Sequence, residues 1–206
     1  MTLNTRPIAL QAFLDGARRS YLAADPDART RACVDRVFDA LETVHPPSGK
    51  PVERVAASRF LEDALEPARR TGGDLATLAD RIRDLDPLLR WRVRSAGEPT
   101  ASASYAQGHA NAMIVGPGAL EDRPDIWVGL SLLAPDVRYP DHRHPPEEAY
   151  LVLTNGQFKH GGGDWFTPGV GGTLYNEPDM IHAMRSTTSD PLLALWCLPI
   201  GATGRG

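Results

Sequence analysis

The sequence lacks any apolar run approaching the ~20 residues of a membrane-spanning helix, and no block of basic residues interrupts it. Its 22 lysines and arginines are outnumbered by 26 acidic side chains, a formal net charge of −4 over 206 residues. A mildly acidic chain offers no electrostatic footprint for nucleic acid or for an anionic membrane surface. No stretch recurs, which excludes a repeat architecture. Cysteine is scarce: Cys33 and Cys197 stand far apart, in segments of different texture. Two buried free thiols in a reducing cytoplasm fit that usage better than a disulfide. The opening MTLNTRPIALQAFLDGARRS sets charge on both sides of a short apolar stretch and shows no signal-peptide cleavage pattern. It reads as a first helix, and a cytoplasmic protein is expected.

What is present falls into two halves. The composition is that of an ordinary globular protein, 42% apolar and 23% charged. In IALQAFLDGARRSYLAAD apolar residues recur at Leu10, Phe13, Leu14, Ala17 and Tyr21, the spacing of a helix. In DARTRACVDRVFDALETV they recur at Cys33, Val34, Val37, Phe38 and Leu41. His45-Pro46-Pro47-Ser48-Gly49 stops that helix. A third helix is expected over Val52 to Arg70, and a fourth after Gly72-Gly73 with Asp74 as its N-cap. Beyond Trp91 prolines and glycines arrive every eight to twelve residues. Between them lie the short apolar runs IWVGLSLLAP, AYLVLTNG, GTLYNE and PLLALWCLP, the pattern of an antiparallel β-sandwich or barrel. The small, polar stretch SAGEPTASAS, residues 95–104, marks the boundary. Residues 1–95 are thus expected to form a helical segment packed on a β-barrel of residues 96–206.

The chemistry concentrates in DHRHPPEEAYLVLTNG, residues 141–156, which holds two of only six histidines. His142 and His144 share one face of an extended chain, and Glu148 and Tyr150 have the same parity. Pro145-Pro146 interrupts the ladder, and a turn there would return Glu148 on the neighbouring strand beside the histidines. Glu147 is the competing carboxylate, with the opposite parity. His182, in NEPDMIHAMRS, is a candidate third imidazole. Such a set suits one divalent transition metal, Fe(II), Mn(II), Zn(II), Co(II) or Ni(II), with positions left for substrate or water. His45, His109 and His160 read as surface or structural.

HRHPPEE followed by an apolar strand, with a later histidine in a Gly- and Pro-rich turn, resembles the two metal motifs of the cupin superfamily. The longer run LSLLAPDVRYPDHRHPPEEAYLVLTNGQFKHGGGDWFTPGVGGTLYNEPDMIHAMRSTTSDPLLALWCLP resembles the cupin-type dimethylsulfoniopropionate (DMSP) lyases. It is most similar to their short Q-type branch and to the related L-type enzymes. The resemblance implies an all-β cupin, a small double-stranded β-helix or jelly-roll barrel, with an N-terminal α-helical segment packed on it. It implies His144, Glu148 and His182 as metal ligands, His142 as a fourth or substrate-side ligand, and Tyr150 and Tyr139 as site tyrosines. The implied activity is carbon–sulfur bond cleavage of DMSP to dimethyl sulfide and acrylate.

That reaction makes demands the residues can meet. Removing the proton next to a carboxylate builds up negative charge, which a bound divalent metal offsets as a Lewis acid. The proton needs a base within reach: Tyr150 first, Tyr139 second, either requiring its phenol to be stabilised as phenolate. The sulfonium end suits aromatic faces, for which Trp127, Trp165 and Trp196 are candidates. Lys159 and Arg185 could pair with the carboxylate. The competing functions are another small cupin enzyme, a metal-dependent dioxygenase or isomerase, or a non-catalytic cupin that senses a ligand or metal. Of partners, the sequence argues only for a small-molecule substrate, with a homodimer possible.

Overall fold

The computed structural model describes residues 5–94 and 99–201. The boundary expected between residues 95 and 96 therefore lies outside the described residues. Four helices come first: α1 (Ile8–Ala23), α2 (Ala28–Ala40), α3 (Leu61–Thr71) and α4 (Gly73–Leu85), with a single turn, α5 (Tyr105–Gly108), later. Nine strands follow or interleave: β1 (Trp91–Arg92), β2 (His109–Val115), β3 (Ile126–Leu133), β4 (Arg138–His142), β5 (Glu148–Val152), β6 (Gln157–His160), β7 (Thr173–Asn176), β8 (His182–Arg185) and β9 (Leu192–Pro199). They form a six-stranded sheet in the order β1-β2-β3-β9-β5-β7 and a three-stranded sheet in the order β4-β8-β6. Every strand pair is antiparallel. Among antiparallel folds this is the jelly-roll solution, in which two facing sheets enclose a cavity.

The helices pack on the large sheet. The α1 stripe Leu10, Phe13, Leu14, Ala17 and Tyr21 is buried as its spacing predicts. The Tyr21 hydroxyl reaches the sheet itself, with Ala149 O at 2.9 Å and Leu195 O at 3.1 Å as acceptors. Asp27 caps α2 by accepting from the amides of Arg29 and Thr30. One continuous core then joins α1–α4 to β2, β3, β5 and β9. Each fully buried leucine in it contributes about 1.5–3 kcal/mol relative to exposure. A buried clasp adds to this: the Glu121 carboxylate is shared by Arg6, at 2.6 Å, and Arg123, at 3.1 Å. Cys33 and Cys197 are both buried free thiols.

Two helix starts differ from expectation. The third segment is a 3₁₀ turn over Ala56–Phe60 before α3 begins at Leu61. The backbone at Glu53 is taken by Trp91, whose amide donates to Glu53 O at 3.0 Å, so residues 52–55 run extended beside β1. The N-cap of α4 is Gly72, at φ +80°, rather than Asp74. Asp74 sits in the first turn, where its charge complements the helix dipole and meets Arg19 at 3.3 Å.

Candidate metal centre

Strand β4 ends at His142, which pairs with His182 at the start of β8, so the small sheet alone brings two imidazoles together. Their ring centroids are 4.1 Å apart. His144 lies two residues past the end of β4, in the turn that carries Pro145-Pro146. That turn does return Glu148 beside it, but not on a neighbouring strand of the same sheet. Strand β5 belongs to the large sheet, so the turn crosses from one sheet to the other. Glu148 thereby reaches His144 Nε2 at 3.2 Å and His182 Nε2 at 3.3 Å. The competing Glu147 points away, held by Arg36 at 2.6 Å and by the Tyr175 hydroxyl at 2.8 Å.

The tautomers follow from the backbone. His142, His144 and His182 each place Nδ1 within 2.8–2.9 Å of a main-chain carbonyl, those of Pro140, Pro146 and Met180. A carbonyl only accepts, so each Nδ1 carries a proton and each ring has its Nε2 left as the nitrogen that could ligate a metal. His182 Nε2 is buried and has no hydrogen-bond partner. Two imidazole nitrogens and a carboxylate oxygen lie within 4.8 Å of one another. His144, Glu148 and His182 are the residue types, at the spacing, that could hold a metal ion.

The members of the group differ in their electrostatics. Burial pushes the His142 imidazole down to about 3, and the neighbouring His182 adds to the shift. Burial also disfavours a charged His144, but hydrogen bonding and charge from Glu148 outweigh it and raise the imidazole. The Glu148 carboxyl, which burial alone would raise, is held below the usual carboxylate range by His144 and His182. Asn176, opposite Glu148 in the β5–β7 register, donates from Nδ2 to Glu148 Oε2 at 2.8 Å. That contact orients the carboxylate and was not anticipated. Only the pairing of two strands separated by 28 residues reveals it.

A cavity of about 360 Å³ opens onto this group, within the range of small-molecule sites. His142, His144, Glu148, Tyr139 and Tyr150 line it. Both tyrosines are buried. Burial, and then the negative charge of Glu148, push the Tyr150 phenol well above its ordinary value. Trp127 and Trp196 also line the cavity, and the buried Trp127 indole N–H has no protein partner. The Trp196 ring fits because β3 carries Gly129 opposite it; a Cβ there would lie 2.4 Å from the indole. Trp165 is elsewhere. Its ring is covered by the guanidinium groups of Arg185, at 4.2 Å, and Arg138, at 5.4 Å. Arg185 also donates to Gln157, and neither it nor Lys159 lines the cavity. His109 is structural: fully buried, stacked on Tyr105 and accepting from the Arg94 amide at 2.7 Å. His160, half-buried against Phe166, pairs with His182 across β6 and β8.

A jelly-roll barrel with two histidines and a glutamate gathered beside its cavity defines a cupin with the means to bind a metal. Residues 29–194, most of the chain, match the dimethylsulfoniopropionate lyase family, and the chain belongs to that family. Among solved structures, the chain is similar to the DMSP lyase DddQ from Ruegeria pomeroyi DSS-3. The two are 21% identical, with 96% of this chain and 94% of that chain covered and a TM-score of 0.69. It is equally similar, at 21% identity, to a chain from the crystal structures of the DMSP lyases RdDddP and RnDddQII. There 96% and 95% of the two chains are covered, with a TM-score of 0.68. At that identity the likeness speaks for the shared fold, helical segment included. No curated protein matches the sequence.

Proposed function

We propose that the protein cleaves DMSP by β-elimination to dimethyl sulfide and acrylate, as a carbon–sulfur lyase. The observation that carries this reading is the His144–Glu148–His182 group beside a cavity lined by two buried tyrosines and two indoles, in a chain of the DMSP lyase family. His144, Glu148 and His182 would hold one divalent transition metal, Fe(II), Mn(II), Zn(II), Co(II) or Ni(II), with His142 as a fourth ligand. When bound, such an ion supplies Lewis-acid stabilisation of the charge developing on the substrate carboxylate and eases ionisation of a nearby phenol.

The remaining steps belong to the chain's own side chains. Trp127 and Trp196 present π faces to the sulfonium, each contact worth ~0.5–2 kcal/mol. Tyr150, two residues along β5 from Glu148, takes the proton from the carbon next to the carboxylate. The electron pair left behind forms the acrylate double bond as the carbon–sulfur bond breaks, and dimethyl sulfide leaves as a neutral molecule. Trp165 lies against Arg138 and Arg185 and does not line the cavity, so this reading gives it no role. Proton NMR of DMSP incubated with the metal-loaded protein tests the reading. Vinyl resonances of acrylate should grow in step with loss of the S-methyl signal, and their absence with every one of the five metals would refute it.

A further inference from the structure

One hydrogen-bond chain beside the cavity has its direction fixed by chemistry. The Trp196 indole N–H lies 3.0 Å from Ser131 Oγ. An indole nitrogen can only donate, so the serine oxygen accepts there and its own proton must go elsewhere. It goes to Asn111 Oδ1, 2.7 Å away on the paired strand β2. The side-chain oxygen of Asn111 is thereby assigned, and its NH₂ is turned toward the Tyr139 hydroxyl at 3.4 Å. Each link polarises the next. Ser131, Tyr139 and Trp196 are all buried, and all four residues line the cavity.

We propose that Asn111 is a positioning residue for Tyr139: held by the Trp196–Ser131 pair, it donates to the tyrosine oxygen and leaves the Tyr139 O–H to point into the cavity as a donor to a substrate carboxylate. The ring of Tyr139 packs against His142 at a centroid distance of 4.8 Å, which places that donor beside the metal group. Trp196 then has two duties, a π face toward the cavity and an N–H that starts the chain. Because it assigns a substrate carboxylate, the proposal rests on the lyase reading above, and its test is built so that the two fail separately.

The first arm needs no turnover. In the Zn(II)-loaded protein, the Asn111 side-chain amide is assigned in a ¹H–¹⁵N spectrum by its loss in Asn111→Asp. Its resonances are expected to move in Tyr139→Phe and again in Ser131→Ala. An amide unmoved by Tyr139→Phe would overturn the proposal, whatever the activity. A wild type that releases no dimethyl sulfide in any metal form would instead sink the lyase reading and leave this arm standing.

The second arm is kinetic. Tyr139→Phe should lose ~10²-fold in kcat, the loss typical of a donor to developing negative charge. Asn111→Ala should lose ~10-fold in kcat, as a supporting contact does, with KM moving far less. The double variant should be no slower than Tyr139→Phe alone, because Asn111 acts only through that hydroxyl. Multiplying losses would show Asn111 acting on substrate or fold directly and would overturn the proposal. Ser131→Ala removes only the hydroxyl that links Trp196 to Asn111 and should show the same kcat loss in smaller measure. A Ser131→Ala protein with wild-type kcat would contradict the chain.

Discussion

The two sheets of the barrel are built for different ends. The inner strands of the six-stranded sheet are apolar: Leu130, Leu132, Leu193 and Leu195 are completely buried, and helices cover the outer face. Among the described residues, no helix packs behind the three-stranded sheet. Its exposed face is closed by Trp165 lying against Arg185 and Arg138, and its inner face carries Tyr139, His142 and His182. The large sheet carries most of the core and also Glu148, Tyr150, Asn111 and Ser131 on its cavity side, whereas the small sheet contributes Tyr139, His142 and His182.

Breaking the bridge between the sheets should have the largest effect. Glu148→Ala is expected to abolish both metal content, measured by plasma emission, and turnover, while leaving a folded barrel by circular dichroism. Tyr150→Phe comes next: a ~10²–10⁴-fold loss in kcat, with metal stoichiometry unchanged. An unaltered rate would remove Tyr150 as base. Leu195→Ala, in the core of the large sheet, should cost ~2–5 kcal/mol in denaturant unfolding but leave the activity of the folded fraction near wild type. A variant that kept its stability and lost its chemistry would reverse the division between the sheets. Asn176→Ala should weaken metal binding ~10–100-fold by calorimetry, since it frees the Glu148 carboxylate. Trp165→Ala should be the mildest, within about ±0.5 kcal/mol in stability for a residue outside the cavity, and with turnover close to wild type.

The same division explains what could be read from the sequence. The helices of the first half announced themselves through Leu10, Phe13, Leu14 and the Val34–Phe38 stripe, because one buried face is a local property of a helix. The choice of Glu148 over Glu147 was also legible, since parity along one strand decides which carboxylate faces inward. Asn176 and Asn111 were not: Asn176 reaches Glu148 through the register of β5 and β7, and Asn111 on β2 reaches Tyr139 on β4 across the gap between the two sheets. Trp165 read as a candidate face for the sulfonium because it is one of the few aromatics of the β half. Its place is set instead by two arginines, Arg138 and Arg185, on strands that pair with each other. The start of α3 was misplaced because the extended backbone at Glu53 answers to β1, not to the helical period of its own segment.

The central claim is that one metal ion, held between the sheets by His144, Glu148 and His182, makes this barrel a DMSP lyase. Headspace gas chromatography of protein stripped by chelation and then reloaded tests it most directly. The account requires dimethyl sulfide from DMSP to vanish on stripping, to return as one equivalent of metal is restored, and to stay absent in Glu148→Ala under the same reloading. Dimethyl sulfide release that persists undiminished in the stripped protein, or in metal-loaded Glu148→Ala, would contradict it.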